Sequence, residues 1–515
     1  MSNYLDTGFT ISQLRLLSDS EVTTTQLFYC SEAGKEGFWK YNPSNTTGTD
    51  NVGTLLVTTG GKRLERVVDE NILFTWFEVS GETDHTSTLN NAILAAKLLQ
   101  KSLILKANAS ITVNQKFELY QSLIGNNSTI YLKNNSTIAN GDSILAIMNH
   151  NITVSGIILD GNNTNNIGTA TNGILGINAY QKKYLTIDNV KIINTRNRGL
   201  TIQNCPNFKF TNSIVDNCGR YTSQMPNPQA DRISVLIDNN VATKGTEFYM
   251  GLESYIDNIK VTNSGLDGLV LGVGMNILNS TFSYNGQDLL NYYDGGAGIY
   301  TRPPQNYNNG EIDGLNIINC NTHWNTGLGI DIGFNAFSTN NPIGKNIIIQ
   351  NCKASNNNLE GIGIGSNQDV SVLGNFCWDN GIRAFFFDGN VNSRRSGICL
   401  NSVPIVNALT SYFPTKNILI ENNTCYDSRD VTVNKTQQYG IYIDNNHELA
   451  ESENFIIKNN HLTRNAQKAI LLPYNKRPVK LGSIFYFSDN TSENSFTISP
   501  QDNTVITPVN PHIYI

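Results

Sequence analysis

Charge is scarce in this 515-residue chain. Only 15% of residues are Asp, Glu, Lys or Arg, and the net charge is -6. No basic stripe is available to neutralise phosphates, which excludes nucleic acid as a partner. Long apolar runs are missing too, so membrane insertion is not expected. Met1–Leu16 has neither the basic start nor the apolar core of a secretory signal. The eight Cys are Cys30, Cys205, Cys218, Cys320, Cys352, Cys377, Cys399 and Cys425, and none forms a CxxC pair. A zinc knuckle is therefore not expected. No acid cluster suited to calcium stands out, so no metal or cofactor is expected. With 39% hydrophobic residues and so few charges, the surface must be polar but uncharged.

What the chain has instead is a recurring phrase: apolar, any, apolar, any, Asn. It ends at Asn189, Asn212, Asn263, Asn279, Asn319, Asn351, Asn422 and Asn459. A second phrase, Gly-apolar-any-apolar, starts at Gly199, Gly268, Gly327, Gly361 and Gly440. Alternation with period 2 predicts strands with one buried face. Two strand phrases per unit, recurring every ~20–50 residues, predict a stacked solenoid. Each strand then pairs with its copy one coil on, about 4.8 Å away. The fold class expected is all-β: a right-handed parallel β-helix. Asn tolerates left-handed backbone angles where a strand must turn. Its stacked copies can form amide ladders. Cys320, Cys352, Cys377 and Cys425 follow such Asn residues closely and read as buried thiols without disulfides.

Four segments are expected: a lead-in unit at 1–71, a capping segment at 72–102, the coil at 103–475, and a tail at 476–515 covering the last turn. Ile11 to Leu17 reads as a short helix with Leu14 and Leu17 on one face, and Thr86 to Leu99 as an amphipathic helix capping the coil. The runs TISQLRLL, GFWKYNPSNTTGTDNVGTLLV and GGKRLERV resemble the lead-in of many phage tailspikes and related bacterial β-helix proteins. Trp76 to Ile93 resembles the start of the pectate-lyase-like superfamily, usually WFGAxGDGxTDDTxAIxxAI. Asp84 matches the first Asp of TDDT, and His85 replaces the second. The resemblance implies a tailspike-type polysaccharide depolymerase, generally a homotrimer, placed outside the cell or on a virion tail. The chain lacks the NTD…DD…GHG…RxK series of polygalacturonase-like hydrolases and the DPHE run of alginate epimerases.

Insertions at Gly219–Tyr255, Gly286–Gly296, Pro303–Gly314, Asn335–Lys345, Asn380–Ser396, Asn401–Lys416 and Ser428–Gln438 are expected to wall one side of the coil. Aligning the Gly phrases points Tyr300, Arg302, Asp331, Gly329, Gly363 and Gly365 outward. That predicts a shallow glycine-lined trough for a long polymer. Hydrolysis of a glycosidic bond needs two carboxyls roughly 5–9.5 Å apart. Asp331 is the first candidate, as base or nucleophile, with Asp294, Glu360 and Asp267 as candidate partners. Arg302, Tyr300, His323, Trp324 and Tyr293 are candidates for substrate binding. The bland alternatives are a cross-strand Arg302–Asp331 ion pair worth under about 1 kcal/mol, a turn histidine at His323, and solvated turn acids at Asp267 and Glu360. Asp84 reads as the start of the capping helix. β-Elimination by Tyr300, Arg302 or His323, and a non-catalytic adhesin, are the other functions weighed.

Overall fold

The structure is a computed structural model. It describes residues 8–139, 141–166, 173–220, 232–239, 242, 245–287, 296–301, 312–333, 344–365, 367–382, 395–401, 415–430, 435–444, 453–472, 485–488, 491–492 and 497–498.

The N-terminal part is a helix, Ile11–Arg15, against a four-stranded antiparallel sheet of Leu27–Cys30, Gly37–Tyr41, Arg63–Arg66 and Leu55–Val57. Thr10 and Gln13 close a capping box on that helix. Leu14 and Leu17 bury against Trp39, Leu56 and Leu64, as their spacing predicts. From Asn71–Leu73 onward the strands pair in parallel, each with the equivalent strand one coil away. The helix Thr86–Leu99 buries Leu89, Ala92, Ile93 and Ala96 over the open end of that coil. Asp84 accepts from both the backbone N–H and the hydroxyl of Thr86, which stabilises the first turn.

From Thr186 onward each coil holds three strands, where the two sequence phrases suggested two. One coil, for example, consists of Asp313–Ile318, Asn321–His323 and Ile330–Ile332. The middle strand has a single inward residue, Thr322, in register with Phe282 and Ala354. One inward residue shows no period, so it escapes a pattern search. All eight phrase-ending Asn residues sit at φ between 49° and 59°. Amides ladder on the surface: Asn319 Nδ2 donates to Asn279 Oδ1 at 3.3 Å, and Asn212 Oδ1 accepts at 2.8 Å from Asn258, a corner outside the eight.

A second, buried ladder lies inside the corner after the middle strand. There Asn285 Nδ2 donates to Asn325, Asn325 to Asn357, Asn357 to Asn380, Asn380 to Gln437 and Gln437 to Asn465, at 2.9–3.1 Å. Each amide also satisfies a backbone group, so a polar column runs through an apolar core without orphaned atoms. Stacks such as Leu269, Ile299, Ile330, Ile362 and Ile398 fill the rest of the interior. All eight Cys are buried, and none is in a disulfide. Burial pushes the Cys205 and Cys218 thiols up to about 12.

The third strands form one 13-stranded parallel sheet from Phe117–Leu119 to Thr497–Ile498. Phe485–Ser488, Thr491–Ser492 and Thr497–Ile498 add a further coil beyond Lys468–Leu472. The bodies of the long insertions, at 221–231, 288–295, 302–311, 334–343, 383–394, 402–414 and 431–434, lie outside the described residues, and the strands that flank them give their place in the chain. The insertions leave or re-enter this 13-stranded sheet, at both of its edges. One of them, Gly219–Tyr255, itself contains a strand of the sheet, Val235–Asp238.

Candidate functional site

The outward face of the 13-stranded sheet is read from its register. Thr201, Leu236, Val270, Tyr300, Asp331, Gly363, Cys399 and Tyr442 follow one another across neighbouring strands. Asp331 is thus flanked by Tyr300 on one strand and Gly363 on the next. Upstream, Leu236 and Val270 face away from the coil interior yet are buried with Ile233 and Leu266, and Tyr300 packs against them. Downstream, Cys399, Tyr439 and Tyr442 form another covered cluster, with the two tyrosine rings 5.2 Å apart. Tyr300, Asp331 and Gly333, partly exposed, lie between these two patches. The Asp331 carboxylate lies beside Gly333: a Cβ built there would stand 2.7 Å from Asp331 Oδ1 and 3.2 Å from the Tyr300 ring.

The structure corrects the phase of one Gly phrase. Gly329, not Gly327, aligns with Gly298 and Gly361, because Ile330 pairs with Ile299 and Ile362. Gly329 does not line a trough. A Cβ there would meet Thr322 Oγ1 at 2.5 Å, the Gly361 carbonyl at 2.6 Å and Asn357 Nδ2 at 2.8 Å. Its glycine serves close packing against the buried amide ladder. Gly363 does face outward, but a Cβ there would run into Leu328 Cδ2 at 2.3 Å. The floor beside Asp331 is therefore covered by Leu328 rather than bare.

Asp267 and Glu360 are not solvated turn acids. Both are buried, at 4% and 5% exposure. Asp267 Oδ1 accepts from the Ala297 N–H at 2.8 Å, tying one coil to the next. The Glu360 carbonyl accepts from the Gly329 N–H at 3.1 Å, which ties its backbone to the coil of Asp331. His323 and Trp324 are not brought to Asp331. They belong to the middle strand Asn321–His323 and the corner after it, on a different sheet. His323 is half-buried with its ring edge-on to Tyr284 at 6.0 Å. Burial, and then the charge of Lys260, hold it below the usual imidazole range. Asp294, Tyr293 and Arg302 lie outside the described residues.

Tyr442 and Cys399 on the outward column, and Leu328 over Gly363, were missed in the sequence. Reading Gly440-Ile-Tyr-Ile across the coils in the corrected phase brings Tyr442 into view. Among the described residues no group of three or more His, Cys, Asp or Glu could hold a metal ion.

Residues 9–69 match the family described as "Phage tail protein small four-stranded beta-sheet domain". The A-module of the Azotobacter vinelandii mannuronan C-5 epimerase AlgE4 superposes with a TM-score of 0.57 at 16% identity, covering 79% of this chain and 99% of that one. The chain is a right-handed parallel β-helix. Tailspike protein 2 of bacteriophage CBA120, in its enzymatically active domain, gives 0.51 at 15% identity, over 90% of this chain and 57% of that one. The Streptococcus pneumoniae surface adhesin PfbA gives 0.52 at 14% identity, over 78% and 93%. No curated protein matches the sequence.

Proposed function

We propose that this β-helix is a polysaccharide depolymerase of a phage tail. It would bind an extracellular or cell-surface polymer along the outward face of its 13-stranded sheet and hydrolyse its glycosidic bonds. The observation that carries this reading is the partly exposed Tyr300–Asp331 pair, in register on neighbouring strands between two covered patches. A strand holds a carboxylate more firmly than a loop does, as a reacting group requires. Asp331 acts as base or nucleophile in this reading. The general acid comes from Asp294 or Glu360, with Asp267 less accessible through its bond to Ala297. Tyr300 and Arg302 position the sugar. The tail-domain match at residues 9–69 supports a virion location, where a homotrimer would be the working form.

Elimination is the second reading, favoured by the phenol of Tyr300 beside Asp331. One experiment separates the two. Asp331→Asn keeps the shape and removes the charge. Turnover should fall at least about a hundredfold with the melting temperature unchanged. Mass spectrometry of the products distinguishes ends that gained water from unsaturated ends. Near-normal cleavage by Asp331→Asn would refute the assignment.

A further inference from the structure

From Asn194 to Asp379 the corner after each middle strand has the same left-handed backbone from coil to coil. Asn194, Asn217, Asn263 and Asn356 occupy it at φ of 54–56°. Asp379 and Arg464 hold it in later coils at 56° and 55°, and in two coils a ring stands there: Tyr284 and Trp324, with φ of 58° and 56°. A bulky ring is disfavoured in that region, where Asn is tolerated. The corner itself is unchanged. Tyr284 N–H donates to His323 O and Trp324 N–H to Ser355 O, both at 3.2 Å, just as Asn356 N–H donates to Trp378 O at 3.1 Å. The rings take no part in this backbone bonding. They project into solvent, 46% and 47% exposed.

Further rings share this face. Trp378 and Tyr426 stand in register on adjacent middle strands, stacked at 6.2 Å and 7°. Phe376, two residues before Trp378, is 46% exposed. Ser355 separates His323 from Trp378 in the same column, and Asn321, Lys353 and Thr424 run beside them. Tyr284 to Tyr426 spans five coils, roughly 19 Å at strand spacing, and a three-residue strand is about 10 Å wide. That is far short of the ~800 Å² per partner of a stable protein interface. It suits a polymer one sugar wide, with ring faces for its C–H surfaces and hydroxyls and amides for its hydroxyls. Among the described residues, every exposed large apolar side chain on the middle strands and corners from Thr281 to Tyr426 is aromatic.

We propose that this strip is a second carbohydrate-binding surface, separate from the sheet face that carries Asp331. Its ligand class, a polysaccharide, rests on the depolymerase reading. The probe is an array of immobilised bacterial capsular and O-antigen polysaccharides. It is used with the full chain, Asp331→Asn, Trp324→Asn, and Trp324→Asn combined with Trp378→Ser and Tyr426→Ser. Asp331→Asn should bind the polymers that the wild type binds. The triple variant should lose at least tenfold in retention. Trp324→Asn should melt at the same temperature or higher, because Asn suits the corner, yet bind more weakly; a merely structural tryptophan would give the opposite. Equal retention by the triple variant overturns the strip, while cleavage by the wild type would leave the depolymerase reading standing. Loss of retention with no polymer ever shortened supports the strip and sinks the hydrolytic reading. An oligomer that dissociates in the triple variant makes a second copy the occupant and overturns the proposal. So does a wild type that retains no polymer.

Discussion

The guanidinium of Arg66 lies 4.3 Å from the ring of Trp76. Trp39 of the N-terminal sheet covers it from another side at 4.5 Å. Arg66 also donates to the carbonyls of Gly53, Glu36 and Lys35. Burial lowers its pKa to about 10, so it remains charged at neutral pH. One cation thus fastens the N-terminal sheet to the first coil. Arg66→Ala should destabilise that junction by about 2–3 kcal/mol, since the buried Gly53 carbonyl and the two part-buried carbonyls of Glu36 and Lys35 lose their donor. Arg66→Lys should recover little of it, because an ammonium cannot spread over two indoles. Limited proteolysis between Val67 and Asn71 reads the effect; an unchanged cleavage rate in Arg66→Ala would count against it.

The two kinds of Asn should differ sharply. Asn357 is buried, accepts from Asn325 and donates to Asn380 and to the Thr322 carbonyl. Asn357→Ala should cost about 2–4 kcal/mol through unsatisfied partners. Asn319 is a surface corner at φ 57°. Asn319→Gly should stay within about 0.5 kcal/mol, because glycine shares its backbone freedom. Denaturant titration followed by circular dichroism compares them. Equal losses would mean that the buried column adds nothing special.

Two glycines near Asp331 should separate fold from chemistry. Gly329→Ala drives a Cβ into backbone and ladder atoms. The expected loss is about 1–3 kcal/mol. Gly333→Ala meets only the ends of Asp331 and Tyr300. Its melting temperature should hold while cleavage of polymer drops at least about tenfold. Full activity in Gly333→Ala would move the reacting centre away from Asp331.

The pH dependence follows from His323, whose folded pKa lies below the usual 6.5. The unfolded chain takes up a proton first as pH falls. Stability from this group is therefore complete above about 6.5 and is lost as pH drops through the folded value. His323→Ser should flatten that part of the curve of melting temperature against pH. A curve unchanged by His323→Ser would show that other groups set it.

The coil was legible because its signal repeats. Eight Asn residues in one phrase foretold eight left-handed turns, and Thr86–Leu99 foretold the cap. The middle strand was not legible: Asn321–His323 offers one inward residue, too short for a period. That omission carried into the site. Without it, nothing showed that a corner separates His323 from Asp331. The same gap let Gly327-Leu-Gly-Ile pass for the strand phrase, two residues ahead of the true register at Gly329. Asp331 kept its outward place because a shift of two leaves strand parity unchanged. Burial of Asp267 and Glu360 depends on neighbouring coils, which no single strand discloses.

The connections that leave the 13-stranded sheet run from Gly272 to Asn276 in one coil and from Asn401 to Lys416 in another. Both return the chain to the same ladder. Length at these positions is thus uncoupled from the pitch of the scaffold. Segments there can be exchanged as cassettes, so the edge of this sheet can be rebuilt while the interior columns stay as they are.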